Sequence, residues 1–181
     1  HNIWEVLLYF RMKIKNLLLK LTQFLPTHLA YAHCDIPCGI YDPHHAQMAA
    51  HTVIRMTNLI NDLKASKPEP SFEERKRIIS QIARLTKVKE EHAEIVKHEI
   101  RVLWGDYFKE EHLKKYPDLH NLVFKIMKLA SKARQEINID AANDLLGNVQ
   151  KIAEIFYKTK NVKPIRLKSV YPTELEIVSY R

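Results

Sequence analysis

The residues with the most chemistry to offer sit in one short run, His33-Cys34-Asp35-Ile36-Pro37-Cys38-Gly39-Ile40-Tyr41-Asp42-Pro43. It holds the only two cysteines of the 181-residue chain and one of its three glycines. Directly before it stands Ala30-Tyr31-Ala32, a small-x-small pattern of the kind proteases cut. A cut after Ala32 would make His33 an amino terminus. One loop would then present an amine, an imidazole, a backbone amide and two thiols. Thiolates select soft or borderline ions, and a planar set of nitrogen and sulfur donors favours nickel or copper over zinc. The amine, the Cys34 amide nitrogen and the thiolates of Cys34 and Cys38 can make that plane, with the His33 imidazole tethered close enough to cap it. Deprotonated amide and thiolate donors stabilise a higher oxidation state. Every ligand loses a proton on binding, so assembly depends on pH. Taken without their neighbours, the two cysteines would equally suit a disulfide or a plain thiol pair.

This run closely resembles the amino-terminal nickel hook of the nickel superoxide dismutases. A second matching stretch is Val102-Leu103-Trp104-Gly105-Asp106-Tyr107-Phe108-Lys109, followed by Tyr116-Pro117-Asp118-Leu119-His120, and the resemblance covers about residues 33–163. It implies that His33, Cys34 and Cys38 hold one nickel ion per subunit. That ion would alternate between Ni(II) and Ni(III) as two superoxide ions become dioxygen and hydrogen peroxide. It implies that Tyr41 and Asp35 border the substrate channel, that Tyr107 supports Tyr41 by hydrogen bonding, and that the Ile36-Pro37 bond is cis. It further implies a processing protease acting between Ala32 and His33, and a homohexamer that wedges each hook against its neighbours.

Blander readings stand beside these. Tyr41 and Tyr107 also suit an amphipathic core, Asp35 a loop carboxylate bonding nearby amides, and Lys109 either an anion attractor or a solvated charge. A nickel-storage or nickel-delivery bundle would use the same hook without turnover. One departure from the family is specific. In well-known members an acid and an arginine hold the axial histidine; the matching positions here are Ala49 and His92. That leaves His92, His51 or a backbone carbonyl to orient the His33 ring.

Composition narrows the class. The formal charge is +8, but residues 1–32 carry four basic and one acidic residue and 164–181 three and two, so 33–163 is only mildly positive. Charges of both signs alternate along the helical stretches, which argues against a nucleic-acid stripe. A mild positive field would attract a small anion. No H-E-x-x-H or E-x-x-H occurs, so the remaining histidines support neither a zinc protease nor a di-iron bundle. No apolar run reaches the length of a membrane span.

The elements that must position the hook read as helices. Residues 1–32 read as a leader: 1–11 precede Met12, then come Met12-Lys13-Ile14-Lys15, an apolar stretch interrupted by Lys20 and Gln23, and the A-Y-A pattern. This suits either a secretory signal or an amphipathic pro-segment removed in the cytoplasm, and the interruptions favour the second. Asp42-Pro43 is a helix start. The first helix is expected over 43–63, with Met48, Thr52, Ile54, Met56, Leu59 and Ile60 on its apolar side. Ser71 with Glu74 forms a capping box opening a second helix over 72–104, with Ile78, Ile82, Leu85, Ile95, Val102 and Leu103 at helical spacing. Gly105 marks its break, and 106–116 is a short connection. A third helix is expected over 118–135 and a fourth, capped by Asp140, over 141–160. Leu145, Val149, Ile152 and Phe156 give the fourth its buried stripe. The expected fold is all-α, an antiparallel four-helix bundle with an N-terminal metal-binding hook. Residues 164–181 read as an extended or poorly ordered tail.

Overall fold

The computed structural model describes residue 4, residues 11–14 and residues 39–181 of the chain. Contacts divide the chain into two units, 1–35 and 36–181. In the first unit, Trp4 and residues 11–14 are helical and exposed; the expectations for the leader and for its cleavage pattern otherwise lie outside the described residues.

The second unit is the expected helical bundle. Helix α1 runs His44–Asn61, α2 Phe72–Val102, α3 Glu110–Lys115, α4 Leu119–Gln135 and α5 Ile139–Thr159. The four long helices close a ring of packed pairs, α1 on α2, α2 on α4, α4 on α5 and α5 on α1. Helix α5 carries the densest apolar face. Leu145, Val149 and Ile152 are fully buried and Phe156 nearly so, at the expected spacing. Alanines line the inner faces of the helices: Ala46 and Ala50 on α1, Ala93 on α2, Ala130 on α4, Ala142 and Ala153 on α5 are all buried. Small side chains at the contacts let helix axes approach closely. No helix among the described residues is long and apolar enough to cross a membrane.

Several local expectations are corrected. The inner face of α1 includes Ala46, Ala50, Val53, Ile54, Thr57 and Ile60, so Ile54 and Ile60 lie inward as expected, but Met48 is exposed. Methionine has the bulk for a core position, but close packing selects the alanines. Ile95 on α2 is exposed, with Ala93, Val96 and Ile100 inward. Ser71 caps α2 by accepting from the Glu74 N–H at 3.2 Å, but the Glu74 carboxylate does not reach back. It takes the Ser66 N–H and O–H, both at 2.8 Å. Two donors from the preceding turn outcompete the single N–H of Ser71, and they hold the Glu74 carboxyl below its ordinary pKa. The cap of α5 is Asn138, whose Oδ1 accepts from the Ala141 N–H at 2.9 Å, not Asp140.

Two features have no counterpart in the sequence reading. Lys89, on α2, is almost fully buried. Its ammonium donates to the carbonyls of Ala133, Arg134 (2.8 Å) and Glu136 (2.9 Å) at the end of α4. Those carbonyls have no partner within their helix and lie at its negative end, which suits a cation. Burial pushes the Lys89 pKa down, opposed by the nearby Glu90 charge. The second concerns 164–181, which are packed: Pro164–Lys168 (β1) pairs antiparallel with Glu176–Tyr180 (β2), in register Arg166 to Val178. The reading as a poorly ordered tail fails because Val178 is inserted into the core and β2 is bonded to side chains far away in sequence.

Candidate metal centre

His33, Cys34, Asp35, Pro37 and Cys38 lie outside the described residues, and so does the Ile36-Pro37 bond expected to be cis. The described structure shows the root from which they extend. Gly39 has φ +99°, a left-handed conformation that a side chain would strain. Ile40 is exposed. Tyr41 is half-buried against the core. The Asp42 carboxylate accepts from the His44 N–H at 2.6 Å, while the N-cap position itself is held by Pro43, one residue later than expected. The Pro43 carbonyl takes the Gln47 N–H at 3.3 Å.

Tyr41 and Tyr107 come together, with ring centroids 5.5 Å apart and planes at 52°. Tyr107 is delivered by a π-turn, Leu103–Tyr107, that continues directly from α2. Its wide ring is closed by the Phe108 N–H on the Leu103 carbonyl at 3.0 Å. The extra residue in the turn rotates the chain beyond it, as such turns do where a side chain must be re-aimed. The break expected at Gly105 is therefore a wide turn that keeps the chain coiled.

Tyr107 is held on most sides. Its ring lies 4.6 Å from Phe156, 5.2 Å from Phe108 and 5.6 Å from a stacked His112, centroid to centroid. Lys160 Nζ sits 4.8 Å from the ring centre. The hydroxyl is 2.6 Å from Thr159 Oγ1, and Thr159 gives its own hydrogen to the Phe156 carbonyl at 2.6 Å. A threonine has one hydrogen to donate. The Tyr107 O–H is therefore the donor to Thr159, and its oxygen keeps its lone pairs for an acceptor's role. Sequence reasoning missed Thr159, Lys160 and His112. The one available signal is helical spacing, since Thr159 lies three residues after the buried Phe156.

Of the groups that could orient the His33 ring, His51 is already used. It is buried, and its Nε2 donates to the Glu176 carbonyl at 3.2 Å while its Nδ1 faces the Thr173 hydroxyl at 2.7 Å. Burial lowers its pKa, opposed by the bond to Glu176. His92 differs. Its Nδ1 lies 2.8 Å from the Val88 carbonyl, which can only accept, so Nδ1 carries the hydrogen and a neutral ring keeps Nε2 as an acceptor. Ala49 is buried and brings no polar group. Lys109 is exposed at the start of α3, where its N–H donates to His112 Nδ1 at 3.0 Å.

The donor chemistry fits nickel: two thiols, an imidazole and, after a cut, an amine within six residues. Among the described residues no other group of three histidine, cysteine or carboxylate side chains could hold a metal. The fold defines a class, a helical bundle, and the run that precedes its first helix carries both cysteines of the chain. Residues 28–160 match the family model for nickel-containing superoxide dismutase. The chain is 36% identical over 137 residues to the nickel superoxide dismutases of Streptomyces coelicolor and Streptomyces seoulensis, covering 76% of its own length and 95% of theirs. The native structure of a nickel superoxide dismutase superposes with TM-score 0.59 at 35% identity, over 71% of this chain and 99% of that one. A metal-free structure gives 0.58 at 32%, over 68% and 99%. The chain belongs to the nickel-containing superoxide dismutase family, a class of nickel-dependent oxidoreductases.

Proposed function

We propose that the chain dismutates superoxide at a nickel site completed when residues 1–32 are removed. The His33 amine and imidazole, the Cys34 amide nitrogen and the Cys34 and Cys38 thiolates would hold the nickel ion. Nickel bound there supplies one-electron chemistry, alternating between Ni(II) and Ni(III) while two superoxide ions and two protons become dioxygen and hydrogen peroxide. The protein's part is to supply the ligand field, a narrow approach and protons. Asp35 and Tyr41 border that approach, and the Tyr41 hydroxyl relays one of the two protons. Tyr107, its hydrogen committed to Thr159, backs Tyr41 from within the bundle. His92 Nε2 is the acceptor we assign to the His33 ring. Such partners of a ligand fix its orientation and tune the metal.

The observation that carries this reading is the seating of Tyr41 against Tyr107 directly after the hook sequence, which joins the two matching stretches in space. A homohexamer that covers the hooks, and removal of the leader as a cytoplasmic pro-segment, belong to the same proposal. The interruptions at Lys20 and Gln23 support the second point.

The test is to titrate Ni(II) into the full chain and into a chain beginning at His33, following thiolate-to-nickel absorption and then superoxide consumption. Tight one-to-one binding with turnover only in the shortened chain is expected. Equal binding by both would remove the amine from the ligand set. Tight binding without turnover would make the protein a nickel carrier.

A further inference from the structure

The family match ends at residue 160, yet residues 164–181 form a hairpin that buries Val178 in the core. A two-stranded hairpin leaves open edges and is marginal by itself. Here the edge of β2 that faces away from β1 is filled by side chains. The Gln47 amide donates through Nε2 to the Val178 carbonyl at 3.0 Å, and its Oε1 takes the Val178 N–H at 2.7 Å. One primary amide thus stands in for a strand residue. His51 Nε2 and Gln150 Nε2 both donate to the Glu176 carbonyl, at 3.2 and 2.6 Å. Gln47 is fully buried and Val178 almost so. A buried glutamine held at both ends of its amide is positioned by the hairpin and in turn fixes it.

Gln47 sits in the first turn of α1, and its own N–H bonds the Pro43 carbonyl. A second route reaches the same place. The Tyr180 ring of β2 lies 5.0 Å from Tyr157 on α5, and the Tyr157 hydroxyl is within hydrogen-bonding reach of the Asp42 carboxylate. Burial first, then the Asp42 charge, push the Tyr157 pKa up to about 12, so it stays a donor. Both routes end on Tyr41-Asp42-Pro43, where the hook leaves the bundle.

We infer that the hairpin 164–181 is a brace for the root of the hook, fixing the direction in which residues 33–41 leave α1 and thereby the retention of nickel. The inference rests on the nickel reading above. Ligand spacing alone does not fix the angle at which a loop leaves its helix. The family domain alone supplies α1 and α5, and the hairpin ties the two together across that point.

The experiment compares the chain beginning at His33 and ending at Arg181 with the same chain ending at Lys163, and with Tyr157→Phe and Gln47→Ala in the longer one. Each is loaded with Ni(II) and challenged with excess chelator, and amide exchange of the metal-free forms is followed at 44–50 and, as a fold control, at 123–130. The truncated chain should release nickel about tenfold faster, the size typical of lost support around ligands. Exchange at 44–50 should rise while 123–130 stay protected. The two substitutions should shift both readouts in the same direction by less. Release and exchange within twofold of the full chain, with the control protected, would overturn the brace. If the truncated chain does not fold, Tyr157→Phe decides, since it removes one hydroxyl and keeps the ring. If no form takes nickel, the metal reading has failed, and exchange at 44–50 still decides whether the hairpin holds the root.

Discussion

The hook and the C-terminal hairpin are the two attachments to the bundle, and they are opposites. The hook sequence brings His33 and both cysteines of the chain within six residues, and its meaning lies in side-chain types and short spacing. The hairpin has no chemistry of that kind. Its meaning lies in partners more than a hundred residues away, such as Gln47 for Val178 and His51 for Thr173. A metal site is local because its ligands must converge on one atom within a few ångströms. A packing site is defined by whichever surface the fold brings to it. The contrast teaches that a chemical site can be read from adjacent residues, whereas a packed one can be read only from contacts between distant ones.

The sharpest way to separate the two is to damage each alone. Cys34→Ser or Cys38→Ser should reduce nickel binding and dismutation to background, since serine is a harder and far less acidic donor. The thermal midpoint of the metal-free chain should stay within about 2 °C, because the core of the described residues is built from Ala46 to Val178. Gln47→Ala should do the reverse to stability. It strands the Val178 N–H and carbonyl in a buried place, which costs about 2–3 kcal/mol in urea unfolding. A smaller loss would mean that the hairpin is held by apolar contact alone.

Acid should act on the hairpin side. His51 is kept neutral in the folded chain by burial, below its ordinary value of 6.5. The unfolded chain takes up a proton that the folded one does not, so this contribution is complete above about pH 6.5 and is lost as pH falls through the lower folded value. Urea midpoints measured from pH 7.5 down to 5 should fall, and His51→Gln should flatten the slope. An unchanged slope would show that His51 titrates freely and that β2 is not closed over it. The smallest effect is expected between the regions. Thr159→Val removes the acceptor of the Tyr107 hydroxyl, worth about 1 kcal/mol or about fivefold in kcat/KM. Thr159→Ser should restore it, whereas a purely steric role would make serine the worse substitute.

Much of this molecule is legible in consecutive residues. The four long helices, the stripe Leu145-Val149-Ile152-Phe156 and a helix start at Asp42-Pro43 all come from short-range spacing, and the structure agrees with them. The patterns mislead where neighbours compete. Glu74 satisfies the capping-box pattern, but Ser66 offers it two donors where Ser71 offers one. Met48 and Ile95 are apolar at helical spacing, yet alanines take the inner positions because the helices pack close. The π-turn at 103–107 carries no signature beyond Gly105, and its consequence, Tyr107 placed against Tyr41, is visible only in the folded chain.

By itself the sequence determined the fold class and marked out the candidate metal donors, because amphipathic periodicity and ligand spacing are written in adjacent positions. Only the tertiary structure decided that Tyr41 meets Tyr107, that Thr159 takes the Tyr107 hydrogen, that Lys89 closes the end of α4, and that Gln47 receives β2. Each is a directional contact between segments far apart in the chain. Its partner is selected by where the packed helices place a donor opposite an acceptor.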